Sequence, residues 1–299
     1  MKSIPALLAL CLLSSCAMPL PFLPMAPRNP AADVAVPVQF RAGTPHVMGR
    51  VNGSNAIPLL LDTGATLSVF EPEAATSSGL TPTGGRRVQV RGVHGTTGAS
   101  QALMRTLDLG AWHTTNVPCL VRGSPSFRIG GLGSAILGMD HLRRQCSFMT
   151  IDYRSSALEL GFSRPFQPTS GVVTRTPLRW VNGMPIVRVS CGGLVWDAVV
   201  DSGSSWGIVI DQSTAAKLGH AHDGMRMGEG LILSGVGGSV TAEKAGARTI
   251  RVPAATLCGE THPGAVLYVM PGPKRIGSRF WLGTRLTVDF RGNALWLER

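Results

Sequence analysis

At 299 residues the chain is long enough for one large or two ordinary domains, and a hydrophobic share of 44% excludes a disordered polymer for most of it. Gly 37, Pro 21 and short strand-like runs such as "VQVRGV", "GAVLYVM" and "LTVDF" favour β structure over long helices. The formal charge of +11 comes from basic residues scattered singly or in pairs, with no longer basic run or aromatic-basic motif, so a nucleic-acid partner is not expected.

The chain opens on "MKSIPALLALCLLSSC", in which one lysine, Lys2, precedes about ten apolar residues, too few to cross a bilayer and typical of an export signal. Its end, Leu13-Ser14-Ser15-Cys16, resembles the lipobox of bacterial lipoproteins, in which the cysteine is acylated and becomes the first mature residue. Residues 1–15 are therefore expected to be a signal peptide and Cys16 a lipidation site. The resemblance implies a periplasmic, lipid-anchored protein, at the outer membrane because Ala17 rather than Asp follows the cysteine. Residues 16–37 carry six prolines and read as an extended tether.

From there the chain repeats itself. Laying "PIVRVSCGGLVWDAVVDSG" on "HVMGRVNGSNAIPLLLDTG" aligns Asp201 with Asp62, and the agreement runs on to both sides. In each copy a strand turns into a second strand that ends on the aspartate. A short strand and a turn or two of helix follow, in "SVFEPEAATSSGL" and "IVIDQSTAAKLG". Glycine-rich hairpin tips come next at Arg91–Gly95 and Ser234–Gly238. The copies close on "ILG" and "RIG", where Gly138 and Gly277 follow their aspartates at identical spacing. Two prolines in "FSRPFQPTSG" separate the copies, giving lobes at 38–165 and 172–299.

Four cysteines lie beyond Cys16. In an oxidising compartment they allow three pairings, of which Cys119–Cys146 with Cys191–Cys258 puts one bridge in each half. Zinc would want close C-x-x-C or histidine pairs, which the sequence lacks, so no metal site is expected.

A charged side chain at the end of a buried strand is costly unless compensated, and here that arrangement occurs twice. "DTGA" and "DSGS" behind apolar strands, a glycine hairpin about thirty residues on, and "ILG" or "RIG" before the closing strands resemble the aspartic proteases of the retropepsin and pepsin type. The resemblance implies an all-β fold of two homologous closed, barrel-like lobes with short helices, and a cleft where Asp62 and Asp201 form a catalytic pair. It also implies that the Thr63 and Ser202 hydroxyls bond across to the opposite loop, and that Gly64 and Gly203 leave room for the carboxylates. Ser204 would add an outer hydrogen bond to its aspartate, where the first copy has Ala65. Val93, His94, Gly95, Val236, Gly237 and Gly238 become flap candidates, although the tyrosine of the pepsin flap has no counterpart near Gly92. Arg275 departs from the apolar Ile136 of the first copy, which puts local packing of the second half in question, and Trp206 reads as core or subsite wall. The reaction implied is peptide-bond hydrolysis in exported or envelope polypeptides, without cofactor. Because one chain carries both copies, a monomer is expected.

Two rival readings follow from the same residues. Gly203–Gly207, "GSSWG", fits the G-x-S-x-G nucleophile elbow with Ser205 as nucleophile and His220 or His262 as base, but that motif requires a strand, a sharp turn and a long helix. The other is a catalytically silent lipoprotein that binds peptide or glycan on the same fold, for which two intact aspartates and their hydroxyls would be superfluous.

Overall fold

The computed structural model describes residues 32–84, 87–93, 95–123, 135–169, 171–236 and 238–299. The signal, Cys16, most of the tether, His94 and Gly237 lie outside them.

Alternation of apolar residues builds the first half. In the strand Ile57–Leu61, Leu59 and Leu61 point into the main core, whereas Leu60 joins a smaller cluster with Val69, Ala99, Leu120 and Ile136 on the other face. This strand lies parallel to Ala135–Leu137 and antiparallel to Thr44–Val51. Gly95–Leu109 pairs with Trp112–Arg122 on one side and returns to Thr44–Val51 on the other, closing six strands into a barrel. Trp112, Met104, Leu107 and Leu109 are essentially inaccessible inside it.

The second half repeats this arrangement around Leu194–Asp201. Val200 lies opposite Ile276 in a parallel pair, the counterpart of Leu61 opposite Leu137. Ile208–Ile210 then inserts antiparallel to Arg275–Gly277 and parallel to Val266–Val269, as Ser68–Phe70 does in the first half.

A sheet shared by both halves runs beneath them. Val173–Pro177, Ala294–Glu298, Arg285–Asp289, Phe148–Asp152, Ala157–Gly161 and Val34–Arg41 lie side by side. Thr150 and Thr287 face each other at its centre, their hydroxyls 2.7 Å apart, which marks an approximate twofold relation between the copies. Arg285 gathers Asp152, Glu159 and Glu298 around this seam.

Two expectations need correction here. Val34–Pro37, the end of the expected Pro-rich tether, form the first half of a strand against Ala157–Leu160. Apolar valines at alternate positions outweigh Pro37, whose missing amide is tolerated at the strand's end of that pairing. The four cysteines are all free thiols rather than two bridges. All four are buried in the main core, and burial pushes the Cys119 and Cys258 thiols up to about 12. The segment between the copies is packed as well: Phe166 sits edge-on to Phe148 and tilts against Trp296.

The two helices that follow the inserted strands, Pro72–Ser77 and Gln212–Lys217, are started differently. Asp211 caps Gln212–Lys217 by accepting from the Thr214 amide at 2.7 Å, with further bonds from Ser213 and an ion pair to Lys274. Pro72–Ser77 has no side-chain cap, because the Glu71 carboxylate is drawn into a buried pair with Arg122 at 2.6 Å. Asp211→Ala is therefore expected to cost about 1 kcal/mol, roughly 2–4 °C in Tm. The Asp211 carboxyl is depressed to about 2 by the Thr214 amide, the Ser213 hydroxyl and Lys274, which outweigh its partial burial. The cap is thus at full strength above the ordinary carboxylate pKa and is lost as pH falls towards 2. Thermal melts of the variant and the parent should converge over that interval.

Candidate active site

Alternation along the central strands decides where the aspartates point. Leu61 and Val200 are fully buried in the main core, so the residues after them turn to the face that carries Leu60 and Val199. Asp62 and Asp201 thereby leave their strands towards each other.

A Cβ placed on Gly203 would lie 2.5 Å from Asp62 Cγ, and one on Gly64 would lie 2.8 Å from Asp201 Cγ. Each glycine is therefore the floor beneath the opposite carboxylate, and alanine at either would push the pair apart.

The loops are locked by a reciprocal set of hydrogen bonds. Thr63 Oγ1 donates to the Val200 carbonyl at 2.6 Å and accepts from the Ser202 amide at 2.8 Å. Ser202 Oγ donates to the Leu61 carbonyl at 2.6 Å and accepts from the Thr63 amide at 3.0 Å. Both side chains are fully inaccessible. Four backbone groups that no strand ladder satisfies are thus paired by two hydroxyls.

Each carboxylate also receives amides of its own loop. The Gly64 amide donates to Asp62 Oδ1 at 2.8 Å, and the Ser204 amide donates to Asp201 Oδ1 at 3.0 Å. The outer bond expected from the Ser204 hydroxyl takes another direction: Ser204 Oγ accepts from Arg275 Nε at 3.4 Å, so Ser204 reaches Asp201 through its backbone.

Burial, and then the charge of Asp201, hold the Asp62 carboxyl well above the usual carboxylate range, against the Gly64 and Ala65 amides. Asp201 is raised by burial too. It is pulled back by the Arg275 charge, by a hydrogen bond from Asp62, and by the amides of Ser204 and Gly203. Both carboxyls are thus held above the usual range, Asp62 further than Asp201.

Both hairpin tips cross to the opposite half. Val93 follows the strand Val88–Gly92 and sits against Gly272, where a Cβ would meet Val93 Cγ1 at 2.8 Å. Val236, at the tip between Ile232–Gly235 and Gly238–Thr241, packs on the first half's cluster beside Ala65, Leu67, Val88 and Val90. Gly95 and Gly238 both adopt positive φ, 140° and 134°, as the tight reversals require. Trp206 tilts on Tyr268 and belongs to a second-half cluster.

The serine-nucleophile reading fails on geometry. Behind Ser205 comes the three-residue strand Ile208–Ile210 and then a six-residue helix. His220 is engaged with Asp223 at 2.7 Å, and His262 packs edge-on to Phe280.

Comparison with known proteins bears on this geometry. Residues 47–141, which include Asp62, match the family model described as aspartyl protease. No match was found among the curated proteins. The aspartic proteinase from Irpex lacteus superposes with a TM-score of 0.59 at 15% identity, over 89% of this chain and 97% of that one. The chain has the aspartic proteinase fold, and the part of it that carries the first aspartate matches the aspartyl protease family.

Proposed function

We propose that this protein is an aspartic endopeptidase acting on exported or envelope polypeptides, with Asp62 and Asp201 as its catalytic pair. One observation carries the reading: two half-buried carboxyls stand over each other's glycine floor, on loops clamped by Thr63 and Ser202. Folding alone gives no reason to bury two acids against each other.

Two adjacent carboxyls that share one proton can divide the work of hydrolysis, as the aspartic protease dyad illustrates. The ionised carboxylate accepts a proton from a water molecule lying between the pair. The resulting hydroxide adds to the peptide carbonyl carbon, while the protonated carboxyl donates to the carbonyl oxygen. Breakdown of the gem-diol transfers a proton to the departing amine and returns the pair to its singly protonated state. The hairpin tips at Val93, Gly95, Val236 and Gly238 lie where they would cover an extended substrate and pair with its backbone.

Export through residues 1–15 and acylation at Cys16 would hold the folded body near a membrane surface, where its substrates would be envelope proteins. With both aspartates on one chain, a monomer suffices.

The reading is tested with unfolded casein and a statine-containing peptide, whose secondary alcohol mimics the tetrahedral adduct. Cleavage is expected to be inhibited at concentrations at least about 10²-fold below the KM of a peptide substrate. An organophosphate should leave Ser205 unlabelled and activity unchanged. Cleavage indifferent to statine and abolished by the organophosphate would transfer the chemistry to a serine.

A further inference from the structure

Duplication alone would make the two carboxyls nearly equivalent, since each sits over a glycine, receives an amide and faces a clamped loop. One side chain breaks the equivalence. Leu60 of the first half lies opposite Ile136, and Val199 of the second lies opposite Arg275. Because Ile276 is buried in the main core, the residue before it turns to the cleft side, and Arg275 occupies there the place that Ile136 fills with hydrocarbon.

The guanidinium is 3% exposed and its Nε lies 3.7 Å from Asp201 Oδ2. It is held from every side: Nε to Ser204 Oγ at 3.4 Å, Nη1 to the Pro273 carbonyl at 3.0 Å, Nη2 towards Met270 Sδ at 4.0 Å. A cation this deep is expensive unless a specific charge compensates it. Asp201 is that charge.

We propose that Arg275 is a positioning residue that fixes which carboxyl of the pair is ionised, placing the negative charge on Asp201 and leaving the proton on Asp62. Asp201 is then the base that activates water and Asp62 the acid that protonates the substrate carbonyl. The assignment rests on the peptidase reading; the placement of the proton does not. The ionisable groups facing the pair among the described residues are Arg275 itself and Tyr153, whose hydroxyl bonds Ser278 at 3.0 Å and whose burial keeps it protonated. Lys274 turns away to Asp211.

An arginine at this range favours the ionised states of the pair, so its removal moves both titration steps of the dyad to higher pH. The test is carbon-13 NMR of the full chain labelled at aspartate Cγ, titrated in the wild type, Arg275→Met and Arg275→Gln, with Asp62→Asn and Asp201→Asn as assignments. Glutamine is neutral yet can still donate to the Pro273 carbonyl, which guards against a misfolded methionine variant. In the wild type the Asp201 carbon should titrate well below the Asp62 carbon. In the neutral variants its titration, and the acidic limb of casein cleavage, should rise by about 1–3 pH units. Arg275→Lys should restore the limb.

Two carbons titrating together in the wild type would overturn the inference. So would neutral variants whose steps stay within about 0.5 unit of wild type. A wild-type chain with the separated titration but no casein cleavage at any pH would defeat the peptidase reading and leave the role of Arg275 standing.

Discussion

Asp62→Asn and Asp201→Asn should each lower kcat/KM on a fluorogenic peptide by about 10⁴-fold, some 5 kcal/mol of transition-state stabilisation, while the circular dichroism spectrum stays that of the wild type. Asparagine fills the same volume but neither ionises nor supplies an acidic proton, so Asp62→Asn loses the acid and Asp201→Asn the base, and either loss breaks the shared-proton cycle. The two variants should nonetheless separate in stability. Asp62 is held well above the usual range, so it penalises the fold once the unfolded chain would ionise there. Below a pH of about 4 both states bind the proton and the penalty is absent. It grows as pH rises towards the raised value, and Asp62→Asn escapes it. That variant should melt at or above the wild-type temperature, with the gap widening upward from about pH 4. Asp201→Asn instead removes the carboxylate against which Arg275 is buried, and should melt several degrees lower. Peptidase activity within about tenfold of wild type in either variant removes that aspartate from the chemistry.

The pairing at the centre of this molecule was legible because two periodicities coincide in its sequence. The duplication aligns Asp62 with Asp201, and alternation along "PLLLD" and "AVVD" tells which way each must face. Helix positions followed for the same reason, since "EPEAATS" and "DQSTAAK" sit at matching places after their strands. The shared sheet was less visible. The pairing of Phe148–Asp152 with Arg285–Asp289 joins the end of one copy to the end of the other, and such distant pairing leaves no local signature. The same limit applies to Val34–Pro37, whose partner Ala157–Leu160 closes the first half that Val34 begins. The cysteines differ for another reason: an oxidising compartment, expected from the N-terminal sequence, would permit disulfides without requiring them. In the sequence Arg275 stands out only as a break in the repeat, where the first copy has the apolar Ile136. Alternation past Ile276 was the available signal that its side chain points at the cleft, and only the three-dimensional neighbourhood shows that Asp201 waits there.

The second large effect falls on the clamp. Thr63→Val keeps the shape of the side chain but leaves the Val200 carbonyl and the Ser202 amide unpaired, both in a place where no water reaches the hydroxyl they lose. At about 1–3 kcal/mol for each stranded group, the cost is roughly 2–6 kcal/mol, a fall of roughly 4–20 °C in Tm. Ser202→Ala strands the Leu61 carbonyl and the Thr63 amide and should cost a similar amount. The hydroxyls act on one pair of loops, so the first loss loosens what the second holds. The double variant should cost less than the sum by about 1 kcal/mol. Activity responds differently from stability, because a carboxyl displaced by about 1 Å costs on the order of 10² in rate even in a folded molecule. Calorimetry on the four members of this cycle, paired with kcat/KM at a single temperature, separates the two effects. Single variants that keep both the melting temperature and the rate of the parent would mean that the loops are held by packing alone, and that the carboxyls need no clamp to stay together.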